Sequence, residues 1–240
     1  MSTDSNRVLV AGATGRTGRE ILTRLRNADL TVRATTRDAS NRAALERRGV
    51  DEVAVGDLLD PADAVRAVDG CDAILCAVGT GLSPKHALGG ELVDRTGTKN
   101  LLAAAVALGA SRFVYESAIG VGNSRTRMPL PARLVLRGSL RAKESAEAAI
   151  RDSGLAYTIL RPGRLTNAPA TGDVLVGEGG DTVSGSIPRA DVARLAVASL
   201  FTPDAENRTF EVVSRRGVRG DVRGLVDVDW RVPRAGPDAP

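Results

Sequence analysis

At 240 residues the chain is near the upper limit of a single globular core, so one domain is expected. Hydrophobic residues make up 42% and charged residues 26%, which excludes a collagen-like, wholly disordered or disulfide-scaffold chain. The net charge of +4 rests on 33 cations, nearly all arginine; the lysines are Lys85, Lys99 and Lys143. One histidine (His86), two cysteines and 2% aromatics rule out a Cys/His zinc cluster and a row of base-stacking platforms. No metal and no direct nucleic-acid partner is therefore expected. No apolar run reaches the roughly 18 residues of a membrane helix, so no membrane partner is expected. Residues 1–6 lack the basic and apolar regions of a secretory signal. With Cys71 and Cys76 read as reduced core thiols, the expected location is cytoplasmic.

In chain order, short runs rich in Val, Ile and Leu at 8–11, 31–36, 53–56, 73–78, 112–117, 156–160 and 209–213 read as strands. Helical patterns fill the gaps, beginning with Ile21, Leu22 and Leu25 at one-turn spacing. Asp60-Pro61 reads as an N-cap followed by a first-position proline. Residues 94–108 and 134–151 read as long helices. This alternation predicts a single doubly wound α/β domain of Rossmann type, with a mostly parallel sheet of about seven strands and helices on both faces. The domain spans 1–214. Two glycine-rich loops, 79–90 and 162–188, follow strands and are candidate substrate walls, because ligands of such sheets lie beyond the strands' carboxyl ends. A small hairpin is expected near 174–177. Residues 215–240, with Arg215, Arg216, Arg219 and Arg223, read as a flexible basic tail.

The strongest local signal is Val8-Leu9-Val10-Ala11-Gly12-Ala13-Thr14-Gly15-Arg16-Thr17-Gly18-Arg19-Glu20-Ile21-Leu22. A strand enters a Gly-x-x-Gly-x-x-Gly turn and an amphipathic helix leaves it. Glycines let the backbone approach a diphosphate, and the helix N-terminus presents free N–H groups to it. Gly12, Thr14, Gly15, Arg16, Thr17 and Gly18 are thus expected cofactor contacts. The second strand ends Thr35-Thr36-Arg37-Asp38, where an acidic residue facing the ribose would select NAD. Thr36 or Arg37 is expected there instead. Arg37 and Arg16 could bracket a 2′-phosphate, so NADP(H) is favoured and NAD(H) is less favoured.

With these motifs the chain resembles an atypical short-chain dehydrogenase/reductase of the NAD(P)H-binding, NmrA-like kind. The similarity runs from about Val8 to about Val213. Besides the glycine turn it includes Gly56-Asp57-Leu58, Asp94 with Asn100-Leu101-Leu102, Phe113-Val114-Tyr115-Glu116-Ser117 and Lys143 with Glu144 and Glu147. Ser153-Gly154-Leu155-Ala156-Tyr157-Thr158-Ile159-Leu160-Arg161-Pro162-Gly163 and Ile187-Pro188-Arg189-Ala190-Asp191-Val192-Ala193 complete the set. The resemblance implies that Asp57 and Leu58 contact the adenine, and that Ala77, Val78 and Gly79 line the ribose and diphosphate. It places Ser117 near the nicotinamide, Lys143 on the nicotinamide ribose and Pro162 and Gly163 beside the ring. Ser117 and Lys143 are the implied catalytic pair.

From the residues alone, Lys143 reads as one half of a surface pair with Glu147 at i,i+4. Many short-chain reductases carry Tyr-x-x-x-Lys, but the fourth residue before Lys143 is Ser139. Tyr115 and Tyr157 fall in strands. A serine hydroxyl is a far poorer acid than a phenol of pKa about 10. The expected function is therefore hydride transfer from NADPH to an acceptor needing little acid help: a quinone, a flavin or a conjugated carbonyl. Water or Ser117 would manage the proton. A non-catalytic redox sensor acting through a partner, and a tailoring enzyme of small-molecule metabolism, are the alternatives. Glu116 is expected to alternate away from the site or to pair with an arginine. His86 reads as an exposed loop residue. Gly81, Leu82, Ser83, Arg164 and Leu165 are candidate pocket lining, and a homodimer is left open.

Overall fold

A computed structural model describes residues 6–26, 28–79 and 93–231. His86, the candidate lining at 81–83 and nearly all of the loop 79–90 lie outside the described residues. The elements in order are β1 (Arg7–Ala11), α1 (Arg16–Leu25), β2 (Thr31–Thr36), α2 (Arg42–Glu46), β3 (Glu52–Val55), α3 (Pro61–Val68) and β4 (Ala73–Cys76). Then come α4 (Thr96–Ala107), β5 (Arg112–Glu116), α5 (Leu130–Val135), α6 (Arg137–Arg151), β6 (Ala156–Pro162) and β7 (Arg164–Thr166). The chain continues through β8 (Val174–Glu178), β9 (Ser186–Pro188), α7 (Arg189–Ser199) and β10 (Arg208–Ser214).

The main sheet has eight strands in the order β3-β2-β1-β4-β5-β6-β10-β8. All its pairings are parallel except β10 with β8. The strand order reverses between β1 and β4, and the crevice at that switch point is where such sheets take ligands. Continuous apolar strands are buried from both sides. Ile21, Leu22 and Leu25 of α1 pack with Val192 and Leu195 of α7 on one face. Ala64 of α3, Leu101 of α4 and Ile150 of α6 pack on the other. Asp60 caps α3 as expected, its carboxylate accepting the Ala62 N–H at 2.8 Å, with Pro61 at the first position.

Several expectations are corrected. The sheet, expected with about seven strands, has eight, and Val174–Glu178 is no hairpin; it runs antiparallel to β10 as the sheet edge. The stretch 162–188 also contains β7 and β9, which form a separate two-stranded sheet. The helix expected at 94–108 starts at Thr96, since Asp94 is drawn into an ion pair instead of capping. The helix expected at 134–151 is two: α5 begins at Leu130, and α6 follows after Leu136 (φ −91°, ψ 4°) with the weak helix former Gly138 in its first turn.

Residues 215–231, expected as part of a loose tail, are tied to the β8 edge of the sheet and to the start of β9. Gly185 bridges to Val218 and Gly177 to Leu225. The Val226 N–H donates to the Val176 carbonyl at 3.0 Å, and the Trp230 ring meets Phe210 edge-on at 5.6 Å. Trp230→Ala should therefore lower the unfolding free energy by about 1–3 kcal/mol. Urea unfolding followed by circular dichroism measures this, and an unchanged midpoint would mean the segment contributes nothing.

Candidate functional site

The turn between β1 and α1 is held by backbone pressed on backbone. Gly12 has φ +85°, and a Cβ there would stand 2.5 Å from the Ala77 carbonyl oxygen at the end of β4. A Cβ on Gly18 would collide with the Gly12 carbonyl. Only glycine fits either place. Gly15 is the N-cap of α1 and has no side chain to occupy the first turn, so those N–H groups remain available to an anion.

A cavity opens beside this turn, lined by Gly12, Thr14, Gly15, Arg37, Asp57, Leu58, Ala77, Val78 and Gly79, together with Thr35, Thr36, Gly56 and Val93. The structure thus gathers most of the expected cofactor residues from four separate loops. The Asp57 loop is built for this position. Asp63 accepts the Asp57 N–H at 2.7 Å, and the Asn100 amide donates to the Leu58 and Leu59 carbonyls at 2.9 and 3.1 Å. Uncapped N–H groups, a close-approach glycine turn and this cavity suit a dinucleotide of the expected kind. Gly18 serves packing. Pro162 and Gly163 stand apart at the end of β6, where Ile119 donates to the Pro162 carbonyl at 2.9 Å.

Lys143 is not a surface partner of Glu147. Its buried ammonium lies 3.2 Å from an Asp94 carboxylate oxygen and donates to the Glu116 carbonyl at 3.0 Å. Burial opposes the charge, but the neighbouring Tyr115, the paired carboxylate of Asp94 and Glu116 outweigh it, so the ammonium is held above its ordinary pKa. Lys143 is thus a fixed cation. An ammonium has three donors, so one remains for a ligand hydroxyl.

Ser117 is committed elsewhere. It is 3% exposed, and its hydroxyl donates to Glu147 at 2.5 Å. The same carboxylate accepts from Arg161 at 2.9 and 2.6 Å and from Arg151 at 2.6 Å. Burial pushes Glu147 up, but the Arg161 guanidinium, with Ser117 and Arg151, holds it below its ordinary value. An ionised carboxylate therefore owns the proton-bearing side of Ser117, contrary to the role expected for it as a proton manager. Tyr115 does not replace it: it is fully buried, Lys143 stands over its ring at 5.2 Å, and burial drives the phenol well above its ordinary range. Burial also pushes the thiols of Cys71 and Cys76 up to about 11, which makes them inert core residues.

Two residues of the site carried no role in the sequence. Asp94 is the counter-ion of Lys143. Glu116 accepts a hydrogen bond from the Thr17 hydroxyl at 3.1 Å, at the start of α1. Strand alternation was the available signal: Glu116 points opposite to Tyr115 and Ser117, toward the glycine turn rather than away from the site.

Arg161→Met should cost about 3–5 kcal/mol of folding stability, by leaving Glu147 short of its main counter-charge; denaturant unfolding measures it. The sign of the pH dependence follows from the depressed Glu147. Its stabilisation is complete above the unfolded carboxylate value of 4.5 and disappears as pH falls through the lower folded value. Unfolding of Glu147→Gln should accordingly lose part of the wild type's acid sensitivity.

The model of an NAD(P)H-binding family matches residues 12–203. The "Uncharacterized sugar epimerase YhfK" of Bacillus subtilis (strain 168) is 34% identical over 86% of this chain and 93% of its own. The "NAD(P)H azoreductase" of Xenophilus azovorans is 30% identical over 89% of this chain and 70% of its own. A solved structure, a putative NAD-dependent epimerase/dehydratase from Bacillus halodurans, superposes with a TM-score of 0.76 at 30% identity, covering 90% of this chain and 95% of that one. Matched over most of its length by the family model, with the glycine turn and switch-point cavity in place, the chain belongs to this NAD(P)H-binding family of atypical short-chain dehydrogenases/reductases.

Proposed function

We propose that the protein is an NADPH-dependent reductase of a small conjugated acceptor: a quinone, a flavin or a conjugated carbonyl. The observation that carries this reading is a glycine turn and switch-point cavity suited to a dinucleotide, with a fixed cation, Lys143, at the end of β5 and the adjacent phenol of Tyr115 sealed in the core. Reduced nicotinamide, when bound, supplies hydride. The chain's own part is to bind and orient. Gly15, Arg16 and Thr17 hold the diphosphate, and the remaining donor of Lys143 holds a ribose hydroxyl. Asp94 and the Glu116 carbonyl keep that ammonium from swinging. With Ser117 bonded to Glu147, the proton comes from water, which suits an acceptor whose reduced form is a weak base. The relative named as an azoreductase supports a conjugated acceptor. The relatives named as epimerases support the nucleotide rather than their reaction. Epimerisation through oxidation of a sugar hydroxyl needs a base on that hydroxyl, and Ser139 and the sealed Tyr115 offer none.

The preference for NADPH rests on the end of β2. The Asp38 carboxylate accepts the Ser40 N–H at 2.8 Å, is held below its ordinary value by that bond, and does not line the cavity. Arg37 lines the cavity instead. A fluorescence titration should show NADPH binding at least ~10-fold tighter than NADH, with Arg37→Ala erasing the difference. Equal affinities would refute the preference. Oxidation of NADPH by at least one of a panel of quinones, flavins and enones should follow, and Lys143→Ala should slow it by ~10-fold or more. Tight binding without turnover across that panel would overturn the reductase reading and favour a sensor.

A further inference from the structure

We infer that Glu116 couples dinucleotide binding to a proton, its carboxyl being neutral in the complex. The inference rests on the cofactor assignment above and goes beyond it. Glu116 ends β5 beside the switch point, and its side chain points to the α1 face of the sheet. Its carboxylate oxygen lies 3.1 Å from the hydroxyl of Thr17, the second residue of α1. In the protein alone, this carboxylate is therefore bonded to a side chain in the first turn of α1, the helix end that a bound diphosphate must use.

The groups facing it come from four elements. Arg16 and Thr17 lie on α1. Lys143 of α6 is bonded to the Glu116 backbone carbonyl. Arg189 opens α7, and its guanidinium donates to Asn167 at 2.7 Å. Asp94, before α4, has the same sign as Glu116 and is paired with Lys143. Burial already raises the Glu116 carboxyl above its ordinary value, against the pull of Lys143, the Thr17 hydrogen bond and Arg189. A diphosphate adds two negative charges at the same helix end. Two anions brought together at one helix end disfavour each other's charge, and the carboxyl is the one that can neutralise by protonation. One proton then enters from solvent per dinucleotide bound, and the acid O–H formed becomes a donor where the carboxylate was only an acceptor.

The test is a titration of the full chain with NADH, which lacks a titrating 2′-phosphate, between pH 5.5 and 9, with NADPH in parallel. The dissociation constant should rise by up to tenfold per pH unit over the range between the free and bound values of the carboxyl. Calorimetry in two buffers of different ionisation enthalpy should show uptake of up to one proton by the wild type in that range. Glu116→Gln should bind NADH with a flat pH dependence and no proton uptake. A wild-type dissociation constant independent of pH with no proton exchanged overturns the inference, as does a Glu116→Gln variant that keeps both effects. The calorimetry needs no variant, so it decides even if Glu116→Gln misfolds. Failure of both nucleotides to bind at every pH is a different result and overturns the cofactor reading itself.

Discussion

The site depends on one contact between backbones: the turn after β1 lies directly against the end of β4 and against the start of its own helix. Side chains at Gly12 or Gly18 would drive these segments apart. With none there, α1 starts deep in the crevice where the strand order reverses. Its N–H groups then face the space enclosed by Arg37, Asp57 and Val78. Everything that can bind an anion in this region is positioned by that approach. The covering packing of α1 on α7 keeps the helix from tilting out.

Charge is arranged around the end of β5 in two groups, and the pleat of that strand separates them. On the face toward α6, Ser117 joins the Glu147–Arg161 pair, which ties α6 to β6 and holds the wall of the domain. On the face toward α1, Glu116 reaches the glycine turn. Lys143 bonds the backbone between them and is neutralised by Asp94, so it spans from α6 to the segment before α4. A buried ammonium with this set of partners is an orienting device rather than a titrating base.

Much of the fold could be read in advance because its signals are local. Seven apolar runs became seven strands, the glycine turn joined β1 to α1, and Asp60-Pro61 capped a helix. Apart from the helix broken locally at Leu136, the misreadings share one cause, which is competition from distant partners. Asp94 left its helix for Lys143. Val174–Glu178 looked like a hairpin and became an edge strand because β10 had a free side. Trp230 and Val228 looked like tail and became cover, packing with the core cluster that contains Phe210 of β10. Lys143 and Glu147 have ideal helical spacing for each other, and each found a buried partner from another element.

The sequence by itself determined the class of fold, the glycine turn at the head of α1 and the absence of a tyrosine four residues before Lys143. These depend on periodicity, on glycine spacing and on which residue stands at one helical position. Only the tertiary structure decided which polar groups are in use. Ser117 has its hydroxyl on Glu147, Asp38 is turned to Ser40, Tyr115 is sealed, and Glu116 stands at the head of α1. The physical reason is that a buried polar atom takes whatever partner the packed elements bring within about 3 Å. Those partners are separated by up to a hundred residues along the chain.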